Sequence, residues 1–269
     1  MVLILLLLPF TVFSSELMFF ERSSYDRLLG YAREARIIYL GEVHNRKDIH
    51  ELQLRIIKDL HSEGFKLAIL MEAFQQQFQD ALDEFVEGEI DEEEMLRRTE
   101  YIKRWRFDKE LYAPLWRFAK ENYIRLFALN VPSELLRETR NKGVKGVVSR
   151  YIPRRVMLFH EQHRRFLEKA MGKHKGASVE RFMNVQLTWD MGMAYRIAKL
   201  VTSNPDTKFV VIVGSGHVWR GYGIPERVNF LIGEVPQLVS YLEEDDIHFL
   251  FSKDFSKESS STNSRSEPN

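Results

Sequence analysis

Residues 36–44, RIIYLGEVH, decide the fold. The first five form a short apolar run rich in β-branched side chains, which predicts a strand buried on both faces. Similar runs follow at residues 67–71 (LAILM), 124–129 (IRLFAL) and 209–213 (FVVIV), with a weaker fifth candidate at 247–251 (IHFLF). Segments of helical periodicity separate these runs, which predicts crossover helices. We therefore expect an α/β fold with a parallel sheet of four to five strands.

The connection after the first run completes a strand–helix unit. An apolar stripe at helical spacing begins at Ile49 and ends at Leu60, with Asn45 as the expected N-cap and Gly64 just past the end. Two later connections, at about residues 80–122 and 133–203, are longer than a crossover requires. They predict a helical subdomain inserted beside the sheet, within a single domain that covers residues 16–251.

The two ends of the chain differ in composition from the rest. Residues 2–13, VLILLLLPFTVF, are almost wholly apolar and precede Ser14 and Ser15, as in a signal peptide, but the first basic residue is only Arg22. Residues 1–15 are therefore interpreted as a signal peptide or N-terminal anchor, with an apolar first element as the alternative. We expect an exported or membrane-associated bacterial protein, whose polar tail at residues 252–269 is disordered.

Charge and cysteine content exclude several functions. The chain has 39 basic and 39 acidic residues and a pI near 7.1, so no excess of charge indicates a nucleic-acid partner. It contains no cysteine, which excludes disulfides, a lipid anchor on cysteine and covalent haem attachment. Residues 137–175 nevertheless hold twelve basic against three acidic residues. This segment is either a set of solvated helix faces or a basic surface for propionates, anionic headgroups or a partner.

Polar side chains follow each predicted strand. Glu42 and His44 come after the first run, Glu72 after the second, Asn130 after the third and His217 after the fourth. Because the carboxyl ends of parallel strands lie at one edge of the sheet, these side chains should converge there. Gathering two carboxylates and two imidazoles without a ligand would carry a desolvation cost. The pattern therefore predicts a functional pocket at this edge.

Two other motifs are weaker evidence for a functional site. The pair Gly214 and Gly216 lacks the third glycine of a dinucleotide-binding loop and lies late in the chain, so we reject that interpretation. His160 and His163 lie three residues apart, which could suit a metal pair. Their basic surroundings instead favour a solvated helix face.

Five blocks of sequence resemble successive blocks of the ChaN-like haem-binding family, in the same order. They are residues 37–50 (IIYLGEVHNRKDIH), 69–91, 98–132, 186–194 (QLTWDMGMA) and 211–228 (VIVGSGHVWRGYGIPERV). The resemblance implies a parallel-sheet α/β fold, a role in haem or iron uptake, and an exported homodimer that encloses haem between its subunits. The chain lacks the lipoprotein cysteine of some members, so any membrane association would depend on its apolar N-terminus.

The resemblance also implies a set of site residues. By motif position these are Glu42, His44, His50, Glu72, Asn130, Gln186, Trp189, Asp190, His217, Gly221 and Pro225. The iron ligand stays open among Tyr222, Tyr195 and His50, because phenolate and imidazole both ligate haem iron.

The same motifs are compatible with a second function besides haem binding. The pattern G-E-x-H, E and G-x-x-H is also similar to the wider superfamily that includes erythromycin esterases. In that interpretation His44, Glu72 and His217 hold a divalent ion such as Zn or Mn, while Glu42 acts as general base of a metal-dependent hydrolase.

Overall fold

The structure, a computed structural model, describes residues 22–172, 179–243 and 246–251. A six-stranded sheet forms its centre, with the strand order β3-β2-β4-β1-β5-β6. Neighbouring strands are parallel except β6, which runs antiparallel to β5. The strands are β1 (Ile37–Glu42), β2 (Leu67–Gln75), β3 (Arg125–Asn130), β4 (Lys208–Gly214), β5 (Gln237–Glu243) and β6 (Asp246–Phe251). The predicted α/β class and parallel sheet are confirmed.

The sheet has one strand more than the four to five expected. The five predicted runs are strands β1 to β4 and β6, whereas β5 was missed. Its sequence, QLVSYLE, has no continuous apolar run because Gln237 and Ser240 interrupt it. Both side chains are nevertheless buried. The amide of Gln237 accepts a hydrogen bond of 2.7 Å from the Tyr39 hydroxyl, so the polar group is satisfied inside the core.

Ten α-helices are found in the described residues. They are α1 (Arg22–Glu34), α2 (Lys47–Ser62), α3 (Gln79–Glu87), α4 (Glu92–Arg98), α5 (Tyr101–Arg104), α6 (Lys109–Glu121), α7 (Ser133–Lys142), α8 (Glu161–Met171), α9 (Val179–Ser203) and α10 (Ile224–Ile232). Helices α4 and α6 begin after Asp91 and Asp108, whose carboxylates accept backbone N–H groups of the first turn. The expected N-cap of α2 is wrong: Arg46 occupies that position, not Asn45.

Side chains of the sheet alternate between two apolar cores. Ile38 and Leu40 of β1 join a cluster that includes Tyr101, Tyr112 and Trp116 from the long insertion. The other face of the sheet packs against α9 and α10 in a second cluster. The helices of residues 80–122 therefore share a core with the sheet, and they bring their aromatic side chains over its carboxyl edge.

Two glutamines cover the exposed edge of β3, the first strand in the sheet order. The Gln79 amide donates to the Leu126 carbonyl at 2.8 Å and accepts the Ala128 N–H at 3.0 Å. Gln76 donates to the Leu129 carbonyl at 2.8 Å. These contacts replace those of a neighbouring strand, so the edge is protected from pairing with another chain.

Both terminal predictions, for residues 1–15 and 252–269, lie outside the described residues. Within the described ranges, no helix is long and apolar enough to cross a membrane.

Candidate functional site

The carboxyl ends of three central strands meet at one polar pocket. Glu42 ends β1, Gly214 ends β4, and Glu72 lies within β2 where that strand bulges against β3. The Glu72 carboxylate is buried and accepts the backbone N–H of Gly214 at 2.7 Å. Nε2 of His217, just beyond β4, lies 3.6 Å from the other Glu72 oxygen. The predicted convergence at the strand ends is thus found for the Glu and His residues, whereas no contact joins Asn130 to them in the described residues.

A first carboxylate–imidazole pair consists of Glu42 and His44. Oε1 of the buried Glu42 lies 2.8 Å from Nδ1 of His44 and accepts the Tyr112 hydroxyl at 2.7 Å. Oε2 of Glu42 accepts the Gln53 amide at 3.2 Å. The imidazole is therefore fixed through Nδ1, and its Nε2 side faces Gly214, whose missing side chain leaves room for the ring.

A second pair consists of Asp190 from α9 and His217. Nδ1 of His217 lies 2.6 Å from Oδ1 of Asp190, and both side chains are largely buried. Trp189 covers the pair with its indole, whose ring meets the imidazole edge at 5.8 Å between centroids. As in the first pair, the carboxylate is hydrogen-bonded to Nδ1 of the imidazole. Nε2 is therefore directed into the pocket, here toward Glu72.

Both imidazoles favour the protonated form more than a free histidine does. Burial lowers the pKa of His44, but the hydrogen bond with Glu42 and the charge of Glu72 outweigh it and raise the pKa. Burial likewise opposes protonation of His217, yet Glu72 and Asp190 raise its pKa. Asp190 itself has a lowered pKa: burial acts to raise it, and the hydrogen bond and charge of His217 overcome that effect.

An aromatic wall limits access of water to His44. Its ring lies 4.7 Å from Trp105 and 4.8 Å from Phe107 between centroids. Both aromatic residues come from the segment between α5 and α6. The pocket therefore combines a charged floor with an apolar rim, and the partly exposed His44 side chain is its point of access.

The other predicted residues lie in different places. His50 is buried below the pocket, with Nδ1 3.0 Å from Gln53 Oε1 and Nε2 3.3 Å from the His44 carbonyl. Both ring nitrogens already face acceptors, which argues against His50 as an iron ligand. Asn130 is buried at the end of β3, and its Oδ1 has no hydrogen-bond partner among the described residues. Gln186 is half-buried on α9.

Tyr222 belongs to a second group of rings outside the pocket. Its ring stacks on exposed His160, with centroids 4.6 Å apart and planes at 13°, and its hydroxyl donates to Gln162 at 3.0 Å. The expectation that His160 and His163 share a solvated helix face is wrong for His163, which is fully buried beside Gly216. Tyr195 lies on α9, where Lys199 approaches its ring.

The metal-ion hypothesis for the pocket is not supported by the geometry. In residues 22–172, 179–243 and 246–251, no group of three His, Asp or Glu side chains is arranged to hold a metal ion. The Nδ1 atoms of His44 and His217 are occupied by Glu42 and Asp190. Nε2 of each ring remains the nitrogen that faces the pocket, and it is the atom that can accept or return a proton.

Several residues that complete the pocket were not predicted from the sequence. Tyr112 and Gln53 lie on helices and contact Glu42, and Arg227 of α10 lies fully buried 3.9 Å from Asp190. Tyr112 follows the helical periodicity of an ordinary core residue, so no local signal distinguished it. The clearest available signal was Arg227, a charged residue on the otherwise apolar face of a short helix.

The fold and the pocket define a mostly parallel α/β protein with its functional site at the carboxyl edge of the sheet. A family model described as "Haem-binding uptake, Tiki superfamily, ChaN" matches residues 28–228, which is most of the chain. The chain therefore belongs to the ChaN family of haem-binding uptake proteins.

Solved structures show the same fold. The ChaN protein of Campylobacter jejuni, described with cofacial haem binding, is 18% identical, with a TM-score of 0.60 over 84% of this chain and 91% of that one. The C-terminal region of the Pasteurella multocida toxin is 11% identical, with a TM-score of 0.50 over 88% of this chain and 28% of that one. No curated protein matches the sequence.

Proposed function

We propose that this protein binds haem non-covalently on the surface formed by Tyr222 and His160, with Tyr222 as the iron ligand. Membership of a haem-binding family supports the ligand. The observation that carries the location is the stacked pair of rings, which presents a phenol and an imidazole near the surface. Both groups ligate haem iron in proteins.

The contacts of Tyr222 suit a ligand role. Its hydroxyl is held by the side-chain amide of Gln162 at 3.0 Å. If iron binds and the phenol loses its proton, rotation of that amide presents the NH₂ group to the phenolate. His160 is the first residue before α8, and its Nδ1 accepts the Gln162 N–H at 3.3 Å. His160 is thereby held as a ring against which Tyr222 stacks.

The chain around His160 matches the chemistry of haem. Residues 140–160 contain six basic residues and no acidic residue. The same segment exposes apolar side chains, with Leu158 60% and Val148 96% exposed. Apolar side chains can cover a porphyrin plane, while Arg154 and Arg155, both exposed, can pair with its two propionates.

A homodimer is part of the proposal. One copy covers only one face of the porphyrin, so the second face stays exposed to water. A second copy would bury that face and complete the site. We further propose that the protein is exported for haem uptake, with its apolar residues 2–13 acting as a signal peptide or membrane anchor.

Titration with hemin tests the ligand assignment. The wild type should show a saturable Soret shift, and Tyr222→Phe should weaken binding about tenfold or more (~1.4 kcal/mol). Tyr195→Phe is the matched control and should bind as the wild type does. Equal binding by Tyr222→Phe and the wild type would place the iron elsewhere, and an unsaturable wild-type titration would refute haem binding.

Sedimentation of the protein with and without hemin tests the dimer. Haem-loaded protein should sediment as a dimer that contains haem, and Tyr222→Phe should shift the population toward monomer. A haem-loaded monomer would contradict the proposed interface.

The two carboxylate–imidazole pairs support a second function, metal-independent hydrolysis in the strand-end pocket. Each carboxylate orients an imidazole whose Nε2 can accept or return a proton, and the neighbouring carboxylates raise the pKa of both rings. Turnover of a panel of carboxylic esters tests it. His217→Asn should lower such activity by about 10²-fold or more, and His61→Asn should leave it unchanged. Absence of turnover by the wild type across the panel would reject this candidate.

A further inference from the structure

Four buried polar atoms cluster behind His217. They are Nδ1 of His163, Oδ2 of Asp190, and Nε and one terminal nitrogen of Arg227, and none has a hydrogen-bond partner among the described residues. The three side chains are neighbours: His163 and Arg227 both approach Gly223, and Arg227 lies 3.9 Å from Oδ2 of Asp190. Burying so many unpaired polar atoms would cost several kcal/mol, at about 1–3 kcal/mol each.

The protonation state of each group follows from its contacts. Nε2 of His163 lies 3.0 Å from the Gly216 carbonyl, which can only accept, so Nε2 carries the proton. Burial lowers the pKa of His163, which keeps the ring neutral and leaves Nδ1 as an acceptor. Asp190 is ionised, since its pKa is lowered despite burial, because His217 donates to it and carries charge beside it. The cluster therefore offers two acceptors and two donors.

This donor and acceptor pattern selects the ligand. A water molecule accepts two hydrogen bonds and donates two, and buried waters usually make two to four. An anion would meet the Asp190 carboxylate and the His163 lone pair, and a cation would meet the Arg227 guanidinium. The Arg227 nitrogen nearest to Oδ2 of Asp190 is Nη1, at 3.9 Å, which is too far for a direct hydrogen bond, and Nη1 already donates to the Gly223 carbonyl and Glu226.

We propose that His163, Asp190 and Arg227 form a binding site for one buried water molecule, through which Arg227 positions Asp190 and thereby His217. Arg227 is itself held in place, because one terminal nitrogen donates to the Gly223 carbonyl and to Glu226, and its guanidinium lies over Phe159. The water donates a hydrogen bond to Oδ2 of Asp190, while Oδ1 remains hydrogen-bonded to Nδ1 of His217. This site does not require bound haem.

A high-resolution crystal structure of the wild type tests the water directly. We expect one peak within about 3.2 Å of at least three of the four atoms. Direct contact of Arg227 with Oδ2 of Asp190, or an empty site, would overturn the proposal.

The positioning role is tested in solution by the Nδ1 proton resonance of His217. Arg227→Lys keeps the charge but removes the Nε donor, so charge should concentrate on Oδ1 of Asp190 and shift that resonance downfield. Arg196→Lys makes the same change at a half-buried arginine on α9 and should leave the resonance in place. If both variants are folded by circular dichroism and neither moves the resonance, Arg227 does not position the pair.

Discussion

At the scale of single residues, the pocket depends on two carboxylates that each hold one imidazole by Nδ1. Glu42 lies two residues from His44, whereas Asp190 lies 27 residues before His217 on another element. The first pair is formed by neighbours in sequence and the second by residues on separate elements. In both, the carboxylate binds Nδ1 and leaves Nε2 directed into the pocket. This orientation places both rings beside Glu72.

The Asp190–His217 pair should make stability depend on pH. The raised pKa of His217 means that its contribution is complete below about pH 6.5 and is lost as pH rises through the folded-state value. The lowered pKa of Asp190 means that its contribution is complete above about pH 3.9 and is lost as pH falls through its folded-state value. The pair therefore stabilises the fold most between these values.

Urea unfolding of the wild type and His217→Asn measures this dependence. At about pH 5.5 the substitution should cost roughly 3–5 kcal/mol, because it leaves a buried carboxylate without its partner. At about pH 9 the cost should be smaller. His61→Asn, at the far end of α2, controls for loss of an imidazole. A cost for His217→Asn that rises with pH would contradict the charge assignment.

The residues at the strand ends were predictable from sequence because each follows a recognisable apolar run. Glu42, His44, Glu72 and His217 belong to this group, and the structure brings them together. Asp190 entered only through the family resemblance, since it lies within a helix. Tyr112 could not be predicted, because its role depends on how α6 crosses the sheet edge, which the local pattern does not record. Arg227 was marked as a charged residue on an apolar helix face, but its contact with Asp190 could not be predicted.

At the scale of elements, edge strand β3 depends on side chains for its outer hydrogen bonds. Gln79→Ala removes an amide that serves both the Leu126 carbonyl and the Ala128 N–H. Leaving these groups unpaired should lower the free energy of unfolding by about 1–3 kcal/mol and increase aggregation on heating. Gln186→Ala is the matched control on α9. Differential scanning calorimetry with light scattering measures both effects; unchanged aggregation would show that the edge is protected otherwise.

Helix α9 approaches the end of β3 closely at Gly192. A methyl group there would lie 2.1 Å from Cγ1 of Val131, so Gly192→Ala should destabilise the fold by about 1–3 kcal/mol. Gly30→Ala in α1 is the control, because no atom of the described residues lies within 4 Å of its added carbon. It should stabilise the helix by roughly 0.5–1 kcal/mol. Denaturant midpoints of the two variants should therefore move in opposite directions, and a shift in the same direction would contradict the packing.

Strand positions were predictable where the buried residues are apolar and unpredictable where buried residues are polar. Strands β1 to β4 have nearly continuous buried faces, and their apolar runs identified them. Strand β5 buries Gln237 and Ser240, so its sequence lacks the run that would have indicated a central strand. His163 is a second buried polar residue that was not predicted, because its neighbours in sequence are polar and indicate an exposed helix face.

At the scale of the whole molecule, one loop joins the two candidate sites. The segment between β4 and α10 carries His217 at the pocket and Tyr222 at the ring pair. Helix α8 completes this link, because His163 contacts Gly216 of the loop while His160 stacks on Tyr222. A haem on Tyr222 would thus lie outside the pocket, on the surface formed by Tyr222 and His160.

A crystal structure of the wild-type protein with hemin tests this arrangement most directly. We expect porphyrin density against Tyr222 and His160, between two copies of the chain, with the Tyr222 oxygen on the iron. Porphyrin density in the strand-end pocket, with iron bound by His44 or His217, would contradict this arrangement.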